Sequence, residues 1–153
     1  MKLKKLLYLL LICPFLMCCN DEDDIDEIFN SGTWNVANIF ERADWNEYND
    51  KGRPVYTKQE DIKLLNNIKV IFEADGTLKG KTPTGEFTGV WQADGKDRSI
   101  SITQIKASGI QTSFSNKVIE YLRNARFYKG DKNYLKIAPE DTKTYIQFGH
   151  FFE

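Results

Sequence analysis

The sequence has few of the side chains on which common active sites depend. It contains a single histidine, His150, and three cysteines, all within the first nineteen residues. The rest of the chain therefore has no thiol for a disulfide framework, a cysteine nucleophile or a cysteine-based zinc site. A lone histidine without a G-x-S-x-G signature gives no hydrolase motif. We therefore expect a protein that is not an enzyme.

Further absences concern phosphates, metals and nucleic acids. The sequence has no glycine-rich phosphate loop and no EF-hand spacing of acids, so we predict no cofactor and no metal site. The carboxylate pairs Asp94 with Asp97 and Glu140 with Asp141 fall in predicted turns, where solubilising residues are a better interpretation than a pair of catalytic acids. The lysines are scattered among acids and form no basic stripe, so we expect no nucleic-acid partner.

The first eighteen residues have the layout of a secretory signal peptide. Lys2, Lys4 and Lys5 form a basic head, and an almost unbroken apolar run extends from Leu6 to Met17. A membrane-spanning helix needs about 20 consecutive apolar residues, and this run is shorter. We therefore interpret residues 1–18 as a targeting segment.

The end of the apolar run resembles the lipobox of bacterial lipoproteins. With Cys19 as acceptor, Leu16 occupies the leucine position three residues before it, and Cys18 occupies the small-residue position. The resemblance implies attachment of diacylglycerol to the Cys19 sulfur, cleavage before Cys19 and acylation of the new amine. Several acyl chains anchor a protein stably, whereas one gives only marginal membrane binding. The alternative is a signal peptide that is simply removed, in which the cysteines have no role.

An acidic run follows the candidate lipid attachment site. Six of the seven residues from 21 to 27 are Asp or Glu. Their mutual repulsion predicts a solvated tether over residues 19–28. The arrangement also resembles the surface-export signal of Bacteroidota lipoproteins, which implies an outer-membrane protein exposed on the cell surface. The alternative is a spacer on a lipoprotein that faces the periplasm.

Residues 29–153 remain as a single, nearly neutral domain. The whole chain has 21 basic and 22 acidic residues, so removal of three leader lysines and six tether acids leaves 18 and 16. A domain of about 125 residues is large enough to bury about two-thirds of the surface of its unfolded chain.

The pattern of this domain is mostly β. It predicts a strand over 33–42, a polar loop over 43–57, and hairpins that turn at Asp75-Gly76 and Asp94-Gly95. Another hairpin should turn at 129–132, and a last strand should follow a polar turn at 139–143. Eight or nine short strands at about ten-residue spacing favour an antiparallel up-and-down β-barrel, or a sandwich.

Two short helices interrupt the predicted strands. The first should cover residues 58–66, with a capping box formed by Thr57 and Glu60. The second should begin near Ser115, with Ser113 or Ser115 as its N-cap.

Gly32-Thr33-Trp34 stands at the start of the first predicted strand, where lipocalins and fatty-acid-binding proteins (the calycins) carry G-x-W. The F-x-x-D-G-T pattern of residues 72–77 and the sequence Gly89-Val90-Trp91 are similar to lipocalin-like lipoprotein domains of Bacteroidota. The resemblance implies a lipocalin-like barrel with Trp34 closing one end. A large indole would close that end efficiently. The alternative is that Trp34 is an ordinary core residue of a sandwich.

Two functional hypotheses follow. In the first, an aromatic interior encloses a small apolar or amphipathic ligand, lined by Trp34, Phe72, Phe87, Trp91, Tyr145 and Phe148. In the second, the domain is a surface interaction module that contacts an outer-membrane or host protein through a loop containing Trp45, Tyr48 and Tyr56. An enclosed cavity would favour the first hypothesis, whereas a filled interior with an exposed aromatic loop would favour the second.

Overall fold

A computed structural model describes residues 21–46 and 51–151. The signal peptide, Cys19 and Tyr48 lie outside these residues. Within the two ranges, no helix combines the length and the apolar character needed to cross a bilayer.

Helices and strands follow one another as the β-rich pattern predicts. The described residues form three helices, α1 (Asp21–Phe29), α2 (Gln59–Asn66) and α3 (Ser113–Arg123). They also form nine strands: β1 (Thr33–Glu41), β2 (Arg53–Pro54), β3 (Lys69–Phe72), β4 (Thr77–Lys81), β5 (Gly85–Asp94), β6 (Ser99–Gly109), β7 (Phe127–Gly130), β8 (Tyr134–Ala138) and β9 (Thr144–Gly149).

The strands form a closed antiparallel ring. Neighbours pair in the order β1, β3, β4, β5, β6, β7, β8, β9, and β9 pairs back to β1, while the short β2 adds to the end of β1. Closure confirms the predicted up-and-down barrel, which is consistent with a lipocalin-like fold, and removes the sandwich alternative. It also leaves few free strand edges, the usual liability of an open sheet.

The ring has two ends, which we call the base and the far end. The base carries the start of β1 and the turns β3–β4, β5–β6 and β7–β8. The far end carries the paired residues Gly85 and Gly109. Strands β6 and β7 pair only at Ser99 and Phe127, and α3 packs its apolar face into the core near this opening.

The predicted hairpins are confirmed, with small shifts. Asp75-Gly76 forms the β3–β4 turn, in which Gly76 has a φ of 85°, a conformation that glycine adopts without strain. The β7–β8 turn lies at 131–133, slightly later than predicted, because the Asp131 carboxylate accepts the backbone N–H of Asn133 at 2.7 Å.

Both helices of the sequence analysis are confirmed, but their caps were assigned wrongly. Helix α2 begins at Gln59, so its N-cap is Lys58, which makes no side-chain cap bond, and the Thr57–Glu60 box does not form. In α3 the N-cap is Thr112, whose hydroxyl accepts the backbone N–H of Ser115 at 3.1 Å.

Helix α1 covers the acidic run that the sequence assigned to a tether. Asp26 and Glu27 are exposed, as mutual repulsion requires. Ile28 and Phe29, by contrast, are buried in the barrel core. The burial of Ile28 and Phe29 explains why the run forms a helix on the barrel and not a solvated tether, since these two side chains hold the helix against the base.

Candidate functional site

The barrel interior is filled by aromatic rings that meet around Phe29. The centroid of the Phe29 ring lies 5.0 Å from Phe72, 5.0 Å from Trp91 and 4.9 Å from Tyr128. These partners come from β3, β5 and β7, so one side chain from α1 contacts three strands of the ring. Phe29 was not assigned to the interior from the sequence, although Ile28 and Phe29 are the apolar pair that ends the acidic run.

Five of the six predicted lining residues share one buried cluster, namely Trp34, Phe72, Phe87, Trp91 and Phe148. Trp91 is fixed further because its indole N–H donates to the Glu73 carbonyl at 3.0 Å. Phe87 lies directly on Gly80, where an added Cβ would come within 2.0 Å of the ring. These rings therefore fill space in the interior, and two of them, Phe72 and Trp91, contact each other with ring centroids 5.4 Å apart.

Tyr145, the sixth predicted lining residue, does not face the interior. Its neighbours Ile146 and Phe148 belong to the core cluster, whereas Tyr145 is buried outside it. Its ring stacks on Phe40 at 4.8 Å on the outer face of β9 and β1. Strand alternation explains the error, since residues 145 and 146 must point to opposite faces.

The loop after β1 folds across this outer face. Trp45 lies 6.1 Å from Tyr145, and the ammonium of Lys129 lies 4.5 Å from the Trp45 ring and donates to the Trp45 carbonyl. Tyr56 packs 5.2 Å from Phe114 at the start of α3. The predicted partner residues Trp45 and Tyr56 are therefore partly exposed and packed against neighbouring side chains, while the third, Tyr48, is outside the described residues.

A second cluster at the base brings the start of β1 together with His150, the residue that follows β9. The imidazole of His150 stacks on Trp34, with ring centroids 4.0 Å apart. Its Nδ1 donates to the Thr33 carbonyl at 2.8 Å, and its Nε2 lies 3.1 Å from the Ser31 hydroxyl. The Ser31 hydroxyl is also 2.8 Å from the Ile28 carbonyl. Sequence analysis missed this arrangement, because no motif links residues so far apart.

Trp34 is fully buried, but its polar atom is not satisfied. Among the described residues, its indole Nε1 is one of two buried side-chain atoms without a hydrogen-bond partner. The burial agrees with the predicted position of Trp34 in the barrel, and its role in closing one end stays a prediction.

Open clefts lie on the outside of the ring. One of about 510 Å³ at the base is lined by Ser31, Thr33, Asn35, Lys69, Asn133, His150 and Phe151. Another of about 540 Å³ lies where β6 and β7 separate and includes Asp94, Ser99, Ser101 and Arg126. Neither cleft contains a residue of the Phe29 cluster.

Two carboxylates in the turns at the base, Asp75 and Asp97, have lowered pKa values. The backbone N–H of Thr77 lowers the pKa of Asp75, and the hydroxyl and backbone N–H of Ser99 lower the pKa of Asp97. Both groups are exposed and act within their own turns. Across the described residues, no three His, Cys, Asp or Glu side chains are placed to hold a metal ion.

Comparison with known proteins identifies the family. A domain of unknown function, DUF4847, matches residues 20–150, and the chain belongs to this family. A crystal structure of a DUF4847 family protein from Bacteroides vulgatus ATCC 8482 is 39% identical, covers 84% of this chain and 99% of its own, and has a TM-score of 0.74. An NMR structure from Burkholderia xenovorans is 10% identical, covers 88% of this chain and 90% of its own, and has a TM-score of 0.56, a likeness of fold alone. No curated protein matches the chain.

Proposed function

We propose that this DUF4847 family member is a lipid-anchored, non-catalytic interaction module of the outer membrane, exposed on the cell surface, that binds a protein partner with the outside of its barrel. The observation that carries the proposal is the filled interior, in which Phe29 contacts Phe72, Trp91 and Tyr128 at about 5 Å. A packed interior of this kind leaves recognition to the exterior surface.

The outer loop supplies a surface suited to that task. Trp45 is supported from below by Tyr145 and Lys129, so its exposed part is held in one orientation. Partly exposed aromatic residues on a rigid support are typical anchors of protein interfaces. Tyr56, supported by Phe114, is a second anchor of the same loop.

The second candidate function is binding of a small apolar or amphipathic ligand inside the barrel. The closed ring and its aromatic interior favour it, because eight-stranded barrels can hold one small ligand. It requires Phe29 to leave the centre of the aromatic cluster.

Apolar ligands and dyes distinguish the two candidates. We expect the purified domain to show no small molecule by native mass spectrometry and no saturable binding of 1-anilinonaphthalene-8-sulfonate. Phe29→Ala opens a space of about one phenyl ring beside Trp91, so this variant should bind benzene and serves as a positive control for a vacated interior. Stoichiometric dye binding by the wild-type protein, or a co-purifying apolar compound, would replace the first candidate by the second.

Photo-crosslinking in cells tests the partner surface. A photoreactive residue at position 45 or 56 should give a discrete crosslinked species. The same residue at position 90 is the control, since Val90 is 45% exposed on another part of the barrel. A result in which positions 45 and 56 crosslink no more than position 90 would contradict the loop as a partner surface.

The anchor is tested by substitution of the predicted attachment site. Cys19→Ser should move the protein out of the detergent phase or block its maturation, because no other cysteine would remain after cleavage. Cys13→Ser, within the predicted signal peptide, is the matched control. Unchanged detergent partitioning of Cys19→Ser would remove the lipid anchor from the proposal.

A further inference from the structure

We infer that the base of the barrel rests directly on the lipid surface, with the rings of Tyr134 and Phe151 as its contact residues. The inference relies on the proposed lipid anchor at Cys19. It adds an orientation and an interaction surface, and the partner of that surface is the bilayer itself.

The first argument is the length of the chain between the lipid and the barrel. Only Asn20 separates Cys19 from the first residue of α1, and α1 ends at Phe29, which is fixed among Phe72, Trp91 and Tyr128. A helical rise of 1.5 Å and an extended reach of about 3.5 Å per residue place Cys19 no more than about 20 Å from Phe29. The acidic run is therefore no long spacer, and the base is held close to the membrane.

The second argument is the character of the base. Tyr134 is 41% exposed and Phe151 is 46% exposed. They are neighbours, because Tyr134 pairs with Gly149 and the Phe151 ring lies beside Gly149. The ammonium of Lys136 lies 5.7 Å from the centroid of the Tyr134 ring. Trp and Tyr are enriched at membrane–water interfaces, where their rings lie at the level of the lipid headgroups. Interfacial helices bury Phe at the same level and carry Lys or Arg beside it.

Electrostatics set a condition on this contact. Exposed charges of both signs lie around the base: the acids Asp26, Glu27, Asp75, Asp97 and Asp131, and the cations Lys79, Lys96, Arg98 and Lys132. The six acids of residues 21–27 give the acids an excess. Each charge near an anionic membrane changes the binding free energy by about 1 kcal/mol. On a strongly anionic surface this excess of acids therefore opposes the contact that the two partly exposed rings make. We expect close contact on zwitterionic lipid and weaker contact as anionic lipid is added.

The experiment uses the full lipidated chain in phosphatidylcholine vesicles that contain headgroup spin-labelled lipid. With the Cys19 sulfur in a thioether, a single introduced cysteine takes the fluorophore without competition. A label at Asn133→Cys, at the base, should be quenched strongly, whereas a label at Ser108→Cys, at the far end, should be quenched little. Addition of phosphatidylglycerol should lower the quenching at the base.

Surface variants test the contact residues. Tyr134→Ser combined with Phe151→Ser should remove most of the quenching at position 133. Ile110→Ser is the matched control, because Ile110 is 74% exposed beyond β6 at the far end. Thermal unfolding of each variant checks that the barrel is intact.

The outcomes separate the two proposals. A chain that does not float with the vesicles overturns the lipid anchor, and this inference falls with it. A chain that floats but shows equal quenching at positions 133 and 108 overturns this inference alone. Quenching at position 133 that survives loss of both rings overturns Tyr134 and Phe151 as the contact residues.

Discussion

His150 stacks on Trp34 with ring centroids 4.0 Å apart, which ties the residue after the last strand to the second residue of the first. The hydrogen bond from His150 Nδ1 to the Thr33 carbonyl strengthens this contact. A histidine that no catalytic motif accounts for therefore has a structural task, which is to fasten the closing pair of strands at the base.

Removal of the His150 contacts should lower the free energy of unfolding, and the effect should depend on whether Ser31 is present. We expect His150→Ala to cost about 1–3 kcal/mol, because it removes the ring contact with buried Trp34 and the hydrogen bonds to Thr33 and Ser31. Ser31→Ala should cost less, and the double variant should cost less than the sum of the two. Urea unfolding of the four proteins measures the coupling, and strict additivity would show that Ser31 and His150 act independently.

Trp34 should stabilise the fold through the volume that its ring fills and not through its indole N–H. Trp34→Ala is expected to lower the free energy of unfolding by about 3–5 kcal/mol, the penalty for a large cavity. Trp34→Phe should retain more than half of that stability, since the indole N–H has no partner to lose. Chemical denaturation measures the free energy of unfolding of both variants. Equal losses of stability in Trp34→Ala and Trp34→Phe would indicate that the indole N–H has a role of its own.

Phe29 should be as important as any residue of the ring itself. Phe29→Ala should cost about 3–5 kcal/mol, because three aromatic neighbours lose a partner at once. Ile110→Ala is the control, and it should change stability by less than about 0.5 kcal/mol because Ile110 is exposed. A melting curve of Phe29→Ala that coincides with wild type would show that α1 does not contribute to the core.

The observed N-cap of α3, Thr112, and the predicted but unused cap of α2, Thr57, give a matched pair of substitutions. Thr112→Ala should destabilise the protein by about 1 kcal/mol, since its hydroxyl accepts the Ser115 N–H. Thr57→Ala should be close to neutral, because Lys58 is the N-cap of α2. Equal effects of the two variants in thermal unfolding would contradict this assignment of caps.

Asp75 and Asp97 should make the protein sensitive to acid. Their folded-state pKa values lie below the ordinary value of 3.8, so the charged forms stabilise the fold above that pH. This stability is lost as the pH falls through the lowered values. A variant with Asp75→Asn and Asp97→Asn should therefore lose less stability than wild type between about pH 5 and about pH 2. Glu86→Gln controls for the removal of one charge. If the wild type, the double variant and Glu86→Gln lose stability identically as the pH falls, Asp75 and Asp97 do not cause the acid sensitivity.

Local patterns were predicted well from the sequence. The turn at Asp75-Gly76, the hairpin at Asp94-Gly95 and both helices were found within a few residues of their expected positions. Each depends on a few neighbouring residues, such as a glycine at positive φ or an apolar stripe at helical spacing. The caps were less accurate, because a shift of one residue exchanges Thr57 for Lys58.

The site was predicted only in part. Trp34, Phe72, Phe87, Trp91 and Phe148 are buried together in one cluster, as expected. Tyr145 was placed on the wrong face, because the run TYIQF has adjacent apolar residues, Tyr145 and Ile146, which point to opposite faces of the strand. Phe29 was not recognised as the centre of the cluster.

The amino-acid sequence alone therefore determined where the chain forms most of its strands and turns and the helices α2 and α3, and it favoured a β-barrel or a sandwich. The closure of β9 onto β1, which decides between these two, is seen only in the tertiary structure. Only the tertiary structure decided that Phe29 fills the interior, that Tyr145 points outward and that Ser31 meets His150. The physical reason is that strand and turn preferences act between near neighbours. The face of a side chain and its distant contacts depend instead on the register with which β9 closes onto β1, where a shift of one residue reverses every side chain.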